Sequence, residues 1–332
     1  MSRTQLIDSF NRKHTNLRIS VTDQCNFRCI YCMPEDMQFM EDEKIMTFDE
    51  ILHLTQIFAD LGINKIRLTG GEPLVRRGLP ELVRRLWQID GIKDISLTTN
   101  GIGLVKQAKA LYDAGLRRIN VSLDTLNEEK FLQMTRRKAL SKVLEGLEVA
   151  QRCGFNPIKL NAVAMRGFSD DEIVDLVTFA RENSYELRFI EFMPLDGDDI
   201  WGRNMYLSGK EIAEKINAVY QIETAQSNGA SKHDPAKRYH FKDGVGDVGI
   251  IASVSEPFCE NCNRLRLTAD GQLRTCLFSV TEIDLLGPLR ARDSDSHIAE
   301  LIIDAVKQKE AGHQINAANF VKPKRNMSMI GG

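Results

Sequence analysis

The sequence predicts an α/β protein: an open or incomplete barrel of parallel strands, followed by a smaller α+β region. Three observations carry this. Between Leu17 and about Tyr220, short β-branched runs alternate with amphipathic segments, the pattern of parallel strands joined by crossover helices. About six such units fit, fewer than a closed eight-fold barrel needs. Beyond Tyr220 the alternation stops, and Asp243-Gly244 and Asp270-Gly271 read as hairpin turns. The expected division is therefore residues 1–220 and 221–332.

Taken in order, the expected strands are Leu17–Val21, Lys65–Thr69, Asp94–Thr98, Arg118–Leu123, Pro157–Met165 and Glu186–Phe192. Helical periodicity covers Thr47–Asp60, Leu79–Gln88, Leu104–Ala114, Leu140–Gln151 and Ser169–Glu182 between them. Thr47 with Glu50, Ser169 with Glu172 and Ser208 with Glu211 have capping-box spacing, so each is expected to open a helix. Ala225–Asp234 is a polar loop, His297–Lys309 a last helix, and an irregular tail ends at Gly331-Gly332.

Of 332 residues, 42% are hydrophobic and 27% charged, the composition of an ordinary globular protein. A formal charge of −2 provides no global basic field, which argues against nucleic-acid or membrane partners. The first residues lack the apolar core of a secretory signal, and no run approaches the length of a membrane span. The expected location is the cytoplasm, where thiols stay reduced. Six of the seven cysteines fall in two clusters that are better metal sites than disulfides, while Cys153 is expected to pack in the core.

The first cluster is Cys25-Asn-Phe-Arg-Cys29-Ile-Tyr-Cys32. A four-iron cluster normally takes four thiolates, so three leave one iron open for chemistry. A zinc site, or an electron-transfer cluster with a distant fourth ligand, is the plainer alternative. Gly70-Gly71-Glu72-Pro73 follows the second strand, and its glycines let backbone approach a ligand closely. The second cluster, Cys259-x-x-Cys262 with Cys276 beyond the 270–271 turn, again has three ligands. Zinc remains the alternative here too, although neither His240 nor His297 has zinc spacing. On a strand, Arg264 and Arg266 share one face, Leu265 takes the other, and the two guanidiniums make an anion site. Arg67, Thr98, Ser122 and Lys159 interrupt strands that burial would keep apolar, which suggests a lined cavity.

The cysteine triplet and Gly-Gly-Glu-Pro resemble the radical S-adenosylmethionine superfamily. LRISVTDQCNFRCIYCMP, KIRLTGGEPLVRR, LTTNG, NVSLDTL and FCENCNRLRLTADGQLRTCLF narrow the resemblance to the MoaA family of GTP 3′,8-cyclases. This resemblance implies an incomplete, TIM-like (β/α)6 barrel with two 4Fe–4S clusters, the second in the C-terminal region. It assigns S-adenosylmethionine to Tyr31, Gly71, Ser122 and Met193, and GTP to Arg18, Arg67, Thr98, Lys159, Arg264, Leu265 and Arg266. The open iron of the second cluster would bind guanine, and Gly331 and Gly332 would reach into the active site. The implied reaction removes the ribose C3′ hydrogen, joins C3′ to guanine C8 and begins molybdenum cofactor synthesis. Implied partners are a second copy of the chain, a flavodoxin- or ferredoxin-like electron donor, and cyclic pyranopterin monophosphate synthase. A peptide-modifying radical enzyme and a zinc-stabilised nucleotide-binding module are the alternatives; the first usually carries more C-terminal cysteines than three.

Overall fold

The computed structural model describes residues 5–225 and 232–331. The six expected strands form: β1 (Asn16–Ser20), β2 (Lys65–Thr69), β3 (Asp94–Thr99), β4 (Arg118–Ser122), β5 (Ile158–Ala164) and β6 (Glu186–Glu191). Each pairs in parallel with the next. Helices α1 (Phe48–Asp60), α2 (Leu79–Leu86), α3 (Leu104–Asp113), α4 (Glu128–Thr135), α5 (Leu140–Cys153) and α6 (Ile173–Glu182) make the crossovers. The expected helices omit α4, whose cap is Asn127: its side-chain oxygen accepts from the backbone N–H of Glu129 at 2.9 Å and Lys130 at 3.1 Å.

The second half of the chain adds α7 (Gly209–Asn217), β7 (Ile222–Thr224), β8 (Lys237–Phe241), β9 (Asp247–Ile251), β10 (Arg264–Leu267), β11 (Gln272–Arg274) and β12 (Ile283–Asp284). The helices α8 (Leu286–Arg290) and α9 (Asp295–Lys307) follow. Strand order is β12-β11-β10-β1-β2-β3-β4-β5-β6-β9-β8-β7 in one twelve-stranded sheet. Both β10 against β1 and β9 against β6 are parallel, so the barrel wall is longer than six strands. The sheet thus runs without a break across residue 220, and later strands extend both of its edges. The two Asp-Gly turns join antiparallel pairs, β8 with β9 and β10 with β11.

Two of the three capping boxes form, at Thr47 with Glu50 and Ser208 with Glu211. The third does not. Ser169 instead donates to the Val163 carbonyl at 3.0 Å, and Glu172 accepts from the Thr125 hydroxyl at 2.7 Å and the Leu126 N–H at 3.0 Å. Tertiary partners displace the local cap, and the helix begins at Ile173. Residues 226–231 of the expected polar loop lie outside the described residues.

Period-two alternation sorts the strand side chains. Leu17, Ile19, Ile66, Leu68, Ile95, Leu97, Ile119, Val121, Leu160, Leu187, Phe189, Leu265 and Leu267 are buried in one core beneath the helices. The alternate residues point to the other face, where Arg266, Arg18 and Arg67 stand side by side in register. A barrel interior is normally filled by apolar layers. Here polar side chains share the lining with apolar ones around a hollow.

Candidate active site

A cavity of about 240 Å³ occupies that hollow, with Cys25, Cys29, Cys32, Gly70 and Gly71 at the C-terminal ends of the strands. The Gly-Gly stretch shapes this end. The Gly71 N–H donates to the Thr22 carbonyl at 2.8 Å, and the Glu72 N–H to that of Gln24 at 2.8 Å. A Cβ on Gly71 would lie 2.4 Å from the carbonyl oxygens of both Asp23 and Gln24. The close approach is therefore to the cysteine loop itself. Glu72 is fully buried and accepts from the N–H of Leu74 at 2.9 Å, the Thr99 hydroxyl at 2.7 Å and the N–H of Asn100 at 2.6 Å. It ties the loop after β2 to the loop after β3; burial pushes its carboxyl up to about 7 against those donors.

The cysteine loop turns tightly, with the N–H groups of Cys32 and Met33 both donating to the Cys29 carbonyl, at 2.9 and 3.1 Å. Burial pushes the Cys25 thiol up to about 11. Burial raises Cys29 and Cys32 further, reinforced by the neighbouring cysteines. Three thiolates crowded in this pocket need a cationic centre, and the donor set fits an iron–sulfur cluster. Among the described residues, no three His, Cys, Asp or Glu side chains close on a point as ligands of a single ion do. A four-iron cube spreads its cysteines more widely than one zinc ion does.

Tyr31, Ser122 and Met193 line the same cavity. The Tyr31 hydroxyl donates to Asp124 at 2.6 Å, and the other Asp124 oxygen accepts from the Val163 N–H at 2.8 Å. Burial lifts the Asp124 carboxyl to about 6. Asp124 is a site residue that the sequence analysis missed; its signal is a carboxylate just beyond a buried parallel strand, in NVSLDTL.

Arg18, Arg67, Thr98, Arg264 and Arg266 line the cavity further along the barrel axis, joined by Arg188. Burial holds the Arg18 guanidinium well below its usual pKa, helped by Arg266 and Arg67 beside it. Burial likewise brings Arg67 down to about 10, and Arg266 to about 9. Among the described residues no carboxylate forms an ion pair with Arg18, Arg67, Arg264 or Arg266. Arg266 is buried and the other three are half-buried, and mutually repelling cations drawn together in this way suit an anion. Arg188 escaped the sequence analysis although it alternates with Leu187 and Phe189 as the other arginines do with their neighbours. Lys159 faces an adjoining compartment of about 460 Å³ that shares Arg18, Arg67, Arg188 and Arg264, and it pairs with Glu186. Leu265 turns the opposite way, fully buried in the core, so only its backbone is available to a ligand.

The second cysteine group straddles β10 and β11. A single turn of 3-10 helix carries Cys259, with the Cys262 N–H donating to its carbonyl at 3.1 Å. Cys262 precedes β10, and Cys276 follows β11, its antiparallel partner. Burial raises the Cys262 thiol, but Arg264 and Lys309 outweigh it and bring the value down to about 6. Cys153 is half-buried against the main core, apart from both groups.

The tail returns to the cavity. Arg325 makes two bonds to Asp270, at 2.9 and 2.7 Å, and contacts Glu282. Met327 and Ser328 line the cavity, and Ile330 is buried. Arg266 donates to the Gly331 carbonyl, and Gly331 has φ +71° with no room for a Cβ beside the Ser20 hydroxyl, 2.4 Å away. Gly332 lies outside the described residues.

Residues 19–180 match the Radical SAM superfamily, and residues 185–315 match Molybdenum Cofactor Synthesis C. Among solved structures, native anSMEcpe with bound AdoMet superposes with TM-score 0.58 at 16% identity, covering 91% of this chain and 82% of that one. Streptococcus suis SuiB bound to precursor peptide SuiA gives 0.58 at 14% identity, covering 91% and 67%. At such identity these likenesses concern the fold. Curated sequences are much nearer. The GTP 3′,8-cyclase of Rhodopirellula baltica is 46% identical over 98% of this chain and 92% of its own length. That of Streptomyces coelicolor is 46% identical over 98% and 96%. Molybdenum cofactor biosynthesis protein 1 of Dictyostelium discoideum is 44% identical over 93% of this chain and 49% of its own length. With similarity of this extent, and with three cysteines and a group of arginines lining one cavity, the chain belongs to the GTP 3′,8-cyclase family of the radical S-adenosylmethionine superfamily.

Proposed function

We propose that the chain converts GTP to 3′,8-cyclo-7,8-dihydro-GTP, the first step of molybdenum cofactor synthesis. The observation that carries this is a single cavity with a cysteine triplet at one end and, at the other, Arg18, Arg67, Arg264 and Arg266, which have no carboxylate ion pair among the described residues. With a 4Fe–4S cluster on Cys25, Cys29 and Cys32, reductive cleavage of S-adenosylmethionine would supply the 5′-deoxyadenosyl radical that takes the ribose C3′ hydrogen. The chain's own groups do the rest. Gly71 brings the β2 loop against the cysteine loop, Tyr31 is held by Asp124, and Ser122 and Met193 wall the adenosyl side. Arg18, Arg67, Arg264 and Arg266 offset the charge of the triphosphate, with Thr98 beside them and Lys159 at the adjoining compartment. Fixing both reactants in one cavity favours one ribose hydrogen over its neighbours and closes C3′ onto C8.

The same reading gives Cys259, Cys262 and Cys276 a second cluster that anchors guanine, and gives Gly331 and Gly332 a part in the reaction. It also includes a cytoplasmic homodimer, a flavodoxin- or ferredoxin-like donor, and transfer of the product to cyclic pyranopterin monophosphate synthase. Among the described residues no helix is long and apolar enough to cross a membrane. The test is anaerobic incubation with GTP, S-adenosylmethionine and dithionite, following deoxyadenosine and the cyclised nucleotide together. Deoxyadenosine with no GTP-derived product would overturn the assignment. In the same assay Cys276→Ser should still cleave S-adenosylmethionine but lose cyclisation by about 100-fold or more; product at the parent's rate would remove the second cluster from the substrate site.

A further inference from the structure

We propose that Lys309 is the resident counter-charge of the second cysteine site, held in position by Arg12; the inference rests on the reading that Cys259, Cys262 and Cys276 carry a cluster. Lys309 lies just beyond α9 and is only 4% exposed. Its ammonium donates to the Arg264 carbonyl at 3.3 Å and to the Thr275 carbonyl. Arg264 opens β10 two residues after Cys262, and Thr275 lies between the end of β11 and Cys276. Among the described residues no carboxylate forms an ion pair with Lys309. A buried ammonium is unfavourable unless an opposite charge or full hydrogen bonding offsets it. Two carbonyl dipoles do so only in part.

The nearby anion is already committed. Asp8 accepts from the Arg12 Nε at 2.6 Å and from His14 at 3.0 Å. The rest of the Arg12 fork donates to the carbonyls of Cys259 at 2.9 Å, Ala311 at 2.6 Å and Glu310 at 2.6 Å. One guanidinium therefore clamps the first cysteine of the group to the two residues that follow Lys309. His14 is buried, with its pKa lowered to about 4 first by that burial and then by Lys309, and offers no negative charge. No carboxylate among the described residues answers Lys309, whereas its carbonyl partners Arg264 and Thr275 stand two residues from Cys262 and one from Cys276. Its charge then favours the thiolate ligands and the more reduced, more negative state of whatever they bind.

The full-length chain with Cys25→Ser, Cys29→Ser and Cys32→Ser isolates the second site and is reconstituted anaerobically with ferrous iron and sulfide. Lys309→Met in that background should release iron to a chelator about 10–100-fold faster and shift the midpoint potential, followed by electron paramagnetic resonance, to more negative values. Lys309→Gln retains a donor for the carbonyls without the charge and should behave like Lys309→Met, while Lys309→Arg should stay near the parent. Circular dichroism of each variant reports folding. A folded Lys309→Gln with the parent's potential and iron retention would overturn the counter-charge. Failure of the Lys309-containing background to take up iron would instead overturn the cluster assignment, and this proposal with it.

Discussion

Replacing Gly71 by alanine tests whether the Gly-Gly stretch acts through the cysteine loop. The new Cβ would stand 2.4 Å from the carbonyl oxygens of Asp23 and Gln24, and 2.7 Å from the Gln24 carbonyl carbon. Ordinary contact begins near 3.4 Å, so the two loops must separate by about 1 Å. All three obstructing atoms are backbone and cannot rotate away. Overpacking of this kind costs about 1–3 kcal/mol. Separation also stretches the 2.8 Å bonds from Gly71 to Thr22 and from Glu72 to Gln24, each worth about 1 kcal/mol net. Cys25 directly follows Gln24, so the displacement reaches the first cysteine of the triplet. A shift of about 1 Å in a positioned group can cost on the order of 100-fold in rate. Denaturant unfolding under anaerobic conditions should show the stability loss, and deoxyadenosine and cyclised nucleotide should fall together. A Gly71→Ala chain that unfolds with the parent and cleaves S-adenosylmethionine at the parent's rate would refute this account of the motif.

Glu72→Gln sets an amide N–H₂ against a backbone or hydroxyl donor, leaving a buried clash that should cost about 1–3 kcal/mol. The folded Glu72 carboxyl sits at about 7 and the unfolded one near 4.5. Between these values the folded chain retains the proton, so the contribution of Glu72 to stability falls as pH rises through that window. The deficit of Glu72→Gln should accordingly be largest near the bottom of the window and shrink above it; unfolding curves showing a deficit that grows with pH would contradict the assignment. Gly331→Ala meets both a left-handed φ of +71° and Ser20 and Thr69 atoms at 2.4 and 2.8 Å. It should lower product formation about tenfold or more with unchanged global unfolding, and product formation at the parent's rate would remove the tail from the reaction.

The parts legible in the sequence were those with local rules. Strand and helix positions follow from hydrophobic period, and the two caps that formed are self-contained exchanges between residues three apart. The cavity was legible for a related reason: a side chain that breaks the apolar pattern of a parallel strand must face something polar. Arg67 does so on β2, and Arg264 and Arg266 share the corresponding face of β10, whereas Arg18, in register with Arg67 and Arg266, came only from the family resemblance. Where local chemistry had a distant competitor, the sequence misled. Ser169 and Glu172 have capping-box spacing, yet Val163, Thr125 and Leu126 take their hydrogen bonds.

By itself, then, the sequence determined which strand residues break the apolar pattern, and that three cysteines stand together on one loop after β1. Only the tertiary structure decided that Gly70-Gly71 packs against that loop, because the contact joins two strand ends through backbone atoms that carry no side-chain signature. It likewise decided that β10 lies beside β1, bringing Arg266 next to Arg18 from the far end of the chain; sequence periodicity specifies which face a residue occupies but not which strand is its neighbour. Lys309 and Arg12 belong to the same class. Each reads as an ordinary charged residue until folding buries it beside the second cysteine group.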